Sequence, residues 1–497
     1  MKILHGLPRG VKGKVARIPS EYWTDPGYFS KLSPYNCTQI LAGAVDGELV
    51  GLNTEQGLVN IAGAGSGKSV MMKTNAILYR GNMVIVDPKG DIAEDTAQWR
   101  DEVHKQIIFI FALGVTLSKR LKKYLARWNP LDNLGELEHL LENIAKVSDG
   151  LMKPDPKAEA HWIDSGRTFL EGVILHVVTC NLYEGKRNLI TVHRLITKGK
   201  PLPGEDTPSM KGLVMEMLQN AQILKDKDED LGEALEGMTF DFWDREDRER
   251  NSVLSTVRTH LKFLYYKSIR KVLTPDPTQR TLKNLDILKA GHATVYASIS
   301  VGMLPVFSPF LRVLINMTLE MVERVKVRPK AALLIVMDEF FVIGYSKEID
   351  NAAGFIRGFH VKFLIILQTL TQLQSNFDNW EVFLGNNCLQ CFGNNDMATL
   401  EYIEKRCGQT PVKVVQQSIA KTEAVGSESI SEQLHPLITA QEAAKFFSRN
   451  DPLKRQLVIQ PGFDPIILQR IEWYRKDAPY HQKYFSKFCR FLEQRTR

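Results

Sequence analysis

The sequence has no apolar run of the roughly 18 to 20 residues that a bilayer-spanning helix needs, and its N-terminus lacks the hydrophobic stretch of a secretory signal. No membrane-spanning segment is expected in this chain. Cysteine is scarce: Cys37, Cys180, Cys388, Cys391, Cys407 and Cys489 are scattered without the density or spacing of a disulfide scaffold, which fits a reducing cytosol. The one close pair, Cys388-Leu-Gln-Cys391, sits among apolar residues and reads as a buried strand rather than half a zinc site. Neither sign of charge dominates. The 64 Lys and Arg against 57 Asp and Glu leave +7, which permits nucleic acid or anionic lipid as a partner and requires neither. No internal repeat is visible.

What is present divides the chain. At 497 residues and 44% hydrophobic content it exceeds one ordinary core and should form two or three domains. Residues 1–50, rich in Gly, Pro and Tyr, read as an extended arm or small packing segment. A buried strand then begins in "GLVNIA" from Gly57. Similar runs follow: "NMVIVD" ending at Asp87, "QIIFIF" ending at Phe111, "HATVYASI" from His292, "AALLIVMDE" (331–339), "VKFLIIL" (361–367) and "CLQCFG" (388–393). Short apolar strands alternating with helical stretches predict an α/β fold with a parallel-rich sheet covered on both faces.

Between about residues 133 and 271 the period turns helical. Trp162, Phe169, Leu170, Val173, Ile174 and Val177 share one helical face, as do Val253, Leu254, Val257, Leu261 and Leu264. An all-α domain inserted into the α/β core is expected there. Its charged stretch, Lys225 to Arg250, reads as a loop or exposed helix face, with a docking site as the competing reading. The expected division is an arm (1–50), a nucleotide-binding domain in two parts (51–132 and 272–470), the helical insertion (133–271) and a basic tail (471–497). Arg470, Arg475, Lys476, Lys483, Lys487, Arg490, Arg495 and Arg497 make this end basic, as a solvated helix face or a contact for an anionic partner.

The first strand runs into Ala62-Gly63-Ala64-Gly65-Ser66-Gly67-Lys68-Ser69, with Val70 in the helix that follows. This matches the phosphate-loop pattern GxxxxGK[ST] except that Ala62 stands at its first position. Glycines let successive backbone N–H groups turn inward on phosphate oxygens, and the helix N-terminus adds partial positive charge. Lys68 would reach the β- and γ-phosphates, and Ser69 would ligate Mg²⁺. "LLIVMDE" supplies the complement: Asp338 placed to hold Mg²⁺ through water, and Glu339 placed to polarise the attacking water. Gln368, at the end of "KFLIILQ", is a candidate γ-phosphate sensor, and Arg357 in "GFIRGF" is a candidate arginine finger for a neighbouring subunit's nucleotide. A strand cap and a surface salt bridge are their ordinary alternatives. By this chemistry the chain binds and hydrolyses ATP with Mg²⁺.

Taken in order, "AGAGSGKS", "VIVDPKGD", "RWNPLD", "NSVLSTVRTHLKFL", "SPFLRVLIN", "IVMDEFFVIG", "LIILQTLTQL", "NNCLQCFGNND" and "PIILQRIEWYRKDAPY" resemble the type IV secretion coupling proteins, the TraG/TraD-like ATPases of conjugation. The resemblance covers about residues 40 to 480. It implies a RecA-like nucleotide-binding domain with an inserted all-α domain, and a homo-hexamer when active, with nucleotide between subunits and a monomer as the alternative in isolation. The implied partners are DNA, single-stranded in preference, a relaxase or other secretion substrate, and components of the secretion channel. The implied location is the cytoplasmic face of the bacterial inner membrane. Asp87 and Lys89 of "DPKGD" fit the pattern, although a turn closing a strand explains them equally. Family members open with membrane-spanning helices, whereas this chain opens with "MKILHGLPRG"; a soluble member and a chain relieved of its anchor both fit. Two other functions compete: a double-strand DNA pump of the FtsK/HerA type, and a nucleotide-gated substrate receptor that moves no DNA.

Overall fold

A computed structural model describes residues 15–17, 22–153, 160–418 and 427–496; the opening decapeptide and Arg497 lie outside them. Eleven strands form one sheet: β1 (Leu41–Val45), β2 (Glu48–Gly51), β3 (Leu58–Ala62), β4 (Met83–Pro88), β5 (Ile107–Leu113), β6 (Ala293–Ile299), β7 (Leu333–Met337), β8 (Val361–Leu367), β9 (Cys388–Phe392), β10 (Arg455–Ile459) and β11 (Ile466–Gln469). Their order is β2-β1-β11-β10-β9-β3-β8-β7-β4-β6-β5. The strands from β9 to β5 in that order are mutually parallel, and β10, β11, β1 and β2 continue the sheet antiparallel. The seven runs legible in the sequence are the parallel strands. The C-terminal end of the arm read above, residues 41–50, forms with Gly51 the two outer strands β1 and β2 of this same sheet.

Helices α1 (Lys68–Leu78) and α2 (Asp91–Glu102) pack on one face through Met71, Met72, Ala76, Ile92, Ala93 and Ala97 against Leu58, Ile85, Val336 and Ile366. The alternate residues Val59, Ile61, Val86 and Ile365 point to the opposite face, as the two-residue period of a strand requires. Cys388 and Cys391 obey the same period and lie in the cores on opposite faces, so the CxxC pair has no common face on which to hold a metal. Burial pushes the Cys388 thiol up to about 12.

Beyond the far side of the sheet lie helices α3 (Leu140–Leu151), α4 (Ala160–Thr179), α5 (Leu189–Lys198), α6 (Met210–Lys225), α7 (Glu229–Trp243), α8 (Asp247–His260), α9 (Lys267–Leu273) and α10 (Leu304–Arg324); α9 packs against β5, α10 against β6, and the others join them in one continuous core. The chain leaves the α/β core at Ala126–Arg127 and returns at Arg280–Thr281, and these two segments pair in parallel. On α4, Phe169, Leu170, Val173, Ile174 and Val177 are buried, and Phe169 stacks on Phe242 of α7 at 3.9 Å between centroids. The Lys225–Arg250 stretch is largely helical, with Lys225 paired to Glu236 and Arg245 to Asp241 on its outer face and Leu231, Leu235 and Phe242 turned inward. Against the expectation from sequence, one helix among the described residues, Val301–Arg324, is long and apolar enough to cross a membrane, but 67% of its most apolar window is buried inside the protein. Its Arg312 is buried and donates to the carbonyls of Gly150 and Ile343, as a core helix can arrange.

The basic C-terminal residues are mostly spent on the protein itself. Arg475 pairs with Asp477, Lys476 with Glu493, Lys483 with Glu48, and Arg495 donates to the carbonyls of Glu94 and Asp95. The last helix, α11 (Ser486–Thr496), docks Phe488 and Phe491 edge-on against Trp99 of α2.

One buried cation fixes the helix that follows the glycine turn. Arg100 of α2 is fully buried and places five donor contacts: Nε on Thr294, one terminal nitrogen on the carbonyls of Ala76 and Tyr79, the other on the Gly81 carbonyl and the Gln106 side chain. The charge faces the C-terminal carbonyls of α1, where the helix dipole is negative. Arg100→Met should lower stability by about 3 kcal/mol, because buried acceptors lose their donors while the replaced volume stays filled. Urea unfolding at neutral pH would show this, and an unchanged midpoint would mean that water replaces the guanidinium.

Candidate active site

Strand register brings the candidate residues together. Ile61 of β3 lies opposite Leu367 of β8, and Ile365 of β8 lies opposite Met337 of β7. The residues just beyond these three neighbouring ends are therefore the glycine turn, Gln368, and Asp338 with Glu339. The C-terminal edge of a parallel sheet is where open α/β folds place their ligands, because helix N-termini and loops converge there.

The turn needs its glycines for specific reasons. A Cβ on Gly63 would stand 2.1 Å from the Gly393 carbonyl oxygen, and Gly65 and Gly67 have φ of 67° and 108°, in the left-handed region. Ala62 is the last residue of β3, paired with Phe392, and needs no such freedom, so the departure at the first motif position is harmless. Ala64 and Gly65 are exposed at the tip, whereas Ser66 is buried. Lys68 begins α1 and turns back over the loop, its Nζ donating to the carbonyls of Ala62 at 2.9 Å and Gly63 at 3.2 Å. Burial lowers its pKa, against the pull of Glu339 and Asp338. Ser69 and Val70 follow on the first turn, partly exposed.

Asp338 follows β7 and accepts from the Glu339 backbone N–H at 3.0 Å. Burial, reinforced by the neighbouring Glu339 carboxylate, pushes its carboxyl up from 3.8 to about 6. Glu339 itself sits at φ 52°, ψ 45°, a left-handed conformation unusual for a residue with a side chain. Gln368 Nε2 donates to both Glu339 carboxylate oxygens, at 2.9 and 3.2 Å, and the Gln368 backbone N–H donates to Gln372 Oε1 at 2.7 Å. The strand-end glutamine is thus a partner of Glu339, a link that spacing alone did not show. Arg357 lies in the turn Ile356–Phe359 ahead of β8, and its side chain is outside the described residues. Its backbone is at the opposite end of a seven-residue strand from Gln368, about 20 Å away, so it does not belong to this cluster.

Asp87, next to last in β4, accepts the backbone N–H groups of Ile92 and Ala93 at 3.2 and 2.9 Å. Burial raises it to about 7. Its place is the capping of α2, the turn-closing alternative given above.

A cavity of about 380 Å³ adjoins the loop, a size suited to a small organic ligand. Gly65, Gly67, Val70 and Thr74 line one side, and Arg449, Arg470 and Tyr474 another. Arg470 is buried and donates to the carbonyls of Ser66 and Ser448, joining the loop to the C-terminal strands. Sequence reasoning counted Arg470 among the tail charges and did not single out Arg449 or Tyr474, which lie some 400 residues from the loop.

The pKa of Asp338 fixes the sign of a stability effect. Because the folded-state value exceeds the unfolded one, folding takes up a proton between about pH 4 and 6, so this carboxylate opposes folding above pH 6 and stops doing so below pH 4. Asp338→Asn should stabilise the nucleotide-free protein by about 1–2 kcal/mol at pH 7.5, with the gain vanishing near pH 4. Thermal unfolding of both proteins across that range measures it; an offset independent of pH would contradict the assignment.

The model of a family described as "Type IV secretory system Conjugative DNA transfer" matches residues 31–495. Conjugal transfer protein TraG of Escherichia coli is 25% identical over 402 residues, covering 76% of this chain and 60% of TraG. Protein VirD4 of Agrobacterium fabrum is 23% identical over 420 residues, covering 83% of this chain and 57% of VirD4. The chain thus spans about three fifths of the length of these curated relatives. Among solved structures, the coupling protein TrwBdeltaN70 in complex with sulphate superposes with a TM-score of 0.66 at 14% identity, covering 96% of this chain and 98% of that one. Plasmid coupling protein TrwB in complex with ADP and Mg2+ gives 0.63 at 14%, covering 92% and 95%. At such identity these structures establish a shared fold, the α/β core with inserted helices. With the family match running over nearly the whole length and the glycine turn, Asp338, Glu339 and Gln368 gathered at adjoining strand ends, the chain belongs to the type IV secretory system conjugative DNA transfer family.

Proposed function

We propose that this chain is an ATP-hydrolysing coupling protein that recruits a DNA–relaxase or protein substrate and drives it into a type IV secretion channel. The observation that carries the reading is the meeting of Lys68, Asp338, Glu339 and Gln368 at three adjacent strand ends, in a member of the conjugative DNA transfer family.

The residues present fit Mg²⁺–ATP: a backbone cradle from Gly63 to Gly67, a cation at Lys68, a hydroxyl at Ser69 and a carboxylate at Asp338. Ala62 to Val70 hold the nucleotide, and the adjoining cavity receives its nucleoside. Lys68 leaves the carbonyls it now contacts and neutralises the β- and γ-phosphates. Ser69 and, through water, Asp338 would hold Mg²⁺, which would supply further neutralisation of the phosphate charge. Glu339 orients the attacking water and accepts its proton, and Gln368 couples the position of Glu339 to the γ-phosphate. Arg357, at the far end of β8, serves a neighbouring subunit's nucleotide in a homo-hexamer. The preferred DNA is single-stranded, and the working location is the cytoplasmic face of the inner membrane.

The test is conjugative transfer from a donor cell whose gene for this chain is deleted. Wild-type protein should restore transfer and Lys68→Ala should not. Full transfer with the Lys68→Ala protein would refute the motor and leave a receptor that needs no hydrolysis.

A further inference from the structure

Residues 250–275 contain no Asp or Glu but six Lys or Arg. They run from the start of α8 through α9, on the helical side of the molecule. Lys262, Lys267 and Lys271 are all exposed, and none makes an ion pair among the described residues. Between them stand two tyrosines that are 61% (Tyr265) and 41% (Tyr266) exposed. Each is propped from behind. His193 meets the Tyr265 ring edge-on at 4.5 Å, and Phe307 meets Tyr266 edge-on at 5.8 Å, so the rings are oriented while remaining open to a ligand. Tyr265 borders an open cavity of about 450 Å³ with Lys267, Arg270 and Lys271, and Tyr266 borders one of about 570 Å³ with Lys262.

We propose that this face, from Lys262 to Lys271 with the two tyrosines at its centre, is where the chain grips single-stranded DNA. The inference rests on the DNA-transfer reading above and adds the place of contact. Unpaired lysines suit a phosphate backbone because they give up only water and counterions on binding. Oriented aromatic rings favour a single strand over a duplex, since only unpaired bases offer free faces for stacking. The site also has a route to the catalytic edge. Arg312, in the wall of the larger cavity, donates to the Ile343 carbonyl at 2.9 Å, and Ile343 ends the short helix Phe340–Ile343 that follows Glu339.

The experiment is fluorescence anisotropy of a labelled oligothymidylate of about 30 nucleotides, titrated with the full chain over a salt series. For K262Q/K267Q/K271Q we expect at least tenfold weaker binding and a log–log salt slope shallower by about 2, three phosphate contacts at about 0.7 each. Y265A/Y266A should weaken binding about tenfold and leave the slope unchanged. Both variants should bind a fluorescent ATP analogue as the wild type does, which shows that the fold is intact. If the wild type binds the oligonucleotide and the lysine variant binds it equally, the surface is wrong while the DNA reading stands. If the wild type binds no DNA at low salt, the DNA reading falls and this inference with it. If the lysine variant loses only its binding to phosphatidylserine vesicles, the face is a membrane contact and the proposal is overturned.

Discussion

Glu339→Gln should lower ATP turnover by about 10²- to 10⁴-fold, the range for loss of a positioned general base, while nucleotide binding stays close to wild type. The amide keeps the size of the carboxylate and can still hydrogen-bond Gln368, so the left-handed backbone at residue 339 and the turn behind Asp338 should survive. What is lost is the ability to take a proton. Equilibrium binding of a fluorescent ATP analogue alongside phosphate release separates the two effects. Turnover within threefold of wild type would remove Glu339 from the proton-accepting role and leave it as a structural partner of Gln368.

Lys68→Ala should act differently, by losing both binding and turnover. The ammonium stands at the base of the loop, held against the Ala62 and Gly63 carbonyls and drawn toward Asp338 and Glu339. Without it the triphosphate charge would meet the two carboxylates with its nearest counter-charge removed, and a fall in turnover of about 10³-fold is expected. Affinity for the nucleotide triphosphate should drop more than affinity for the nucleoside alone, since Lys68 is not among the residues lining the adjoining cavity. Equal losses for both ligands would place Lys68 in the folding of the loop rather than in phosphate binding.

The parallel strands were legible because a strand buried on both faces must be apolar at nearly every position, as "MVIVDP" and "VKFLIIL" largely are. The antiparallel edge was not. "LAGAV" contains a glycine because a Cβ at Gly43 would press within 2.8 Å of the Gln469 carbonyl oxygen, and such an interruption hides a four- or five-residue strand. The glycine turn and the Asp338–Glu339 pair could be read because each is local in sequence. Glu339 and Gln368 bond across 29 residues, and Arg470 reaches the loop across about 400; no spacing rule carries such pairs. Of the C-terminal charges, Lys483 and Arg495 find their partners far upstream, at Glu48 and at the carbonyls of Glu94 and Asp95, while Lys487 and Arg490 stay exposed on the last helix, as a solvated helix face would have them.

The most direct test of a DNA-transfer motor is steady-state ATP hydrolysis without DNA, with single-stranded circles and with duplex, using Lys68→Ala and Glu339→Gln as controls for contaminating activity. Stimulation by single-stranded circles, absent in both variants, is the expected result. Hydrolysis that depends on Lys68 and Glu339 but is indifferent to every form of DNA would contradict the account and favour a nucleotide-gated receptor.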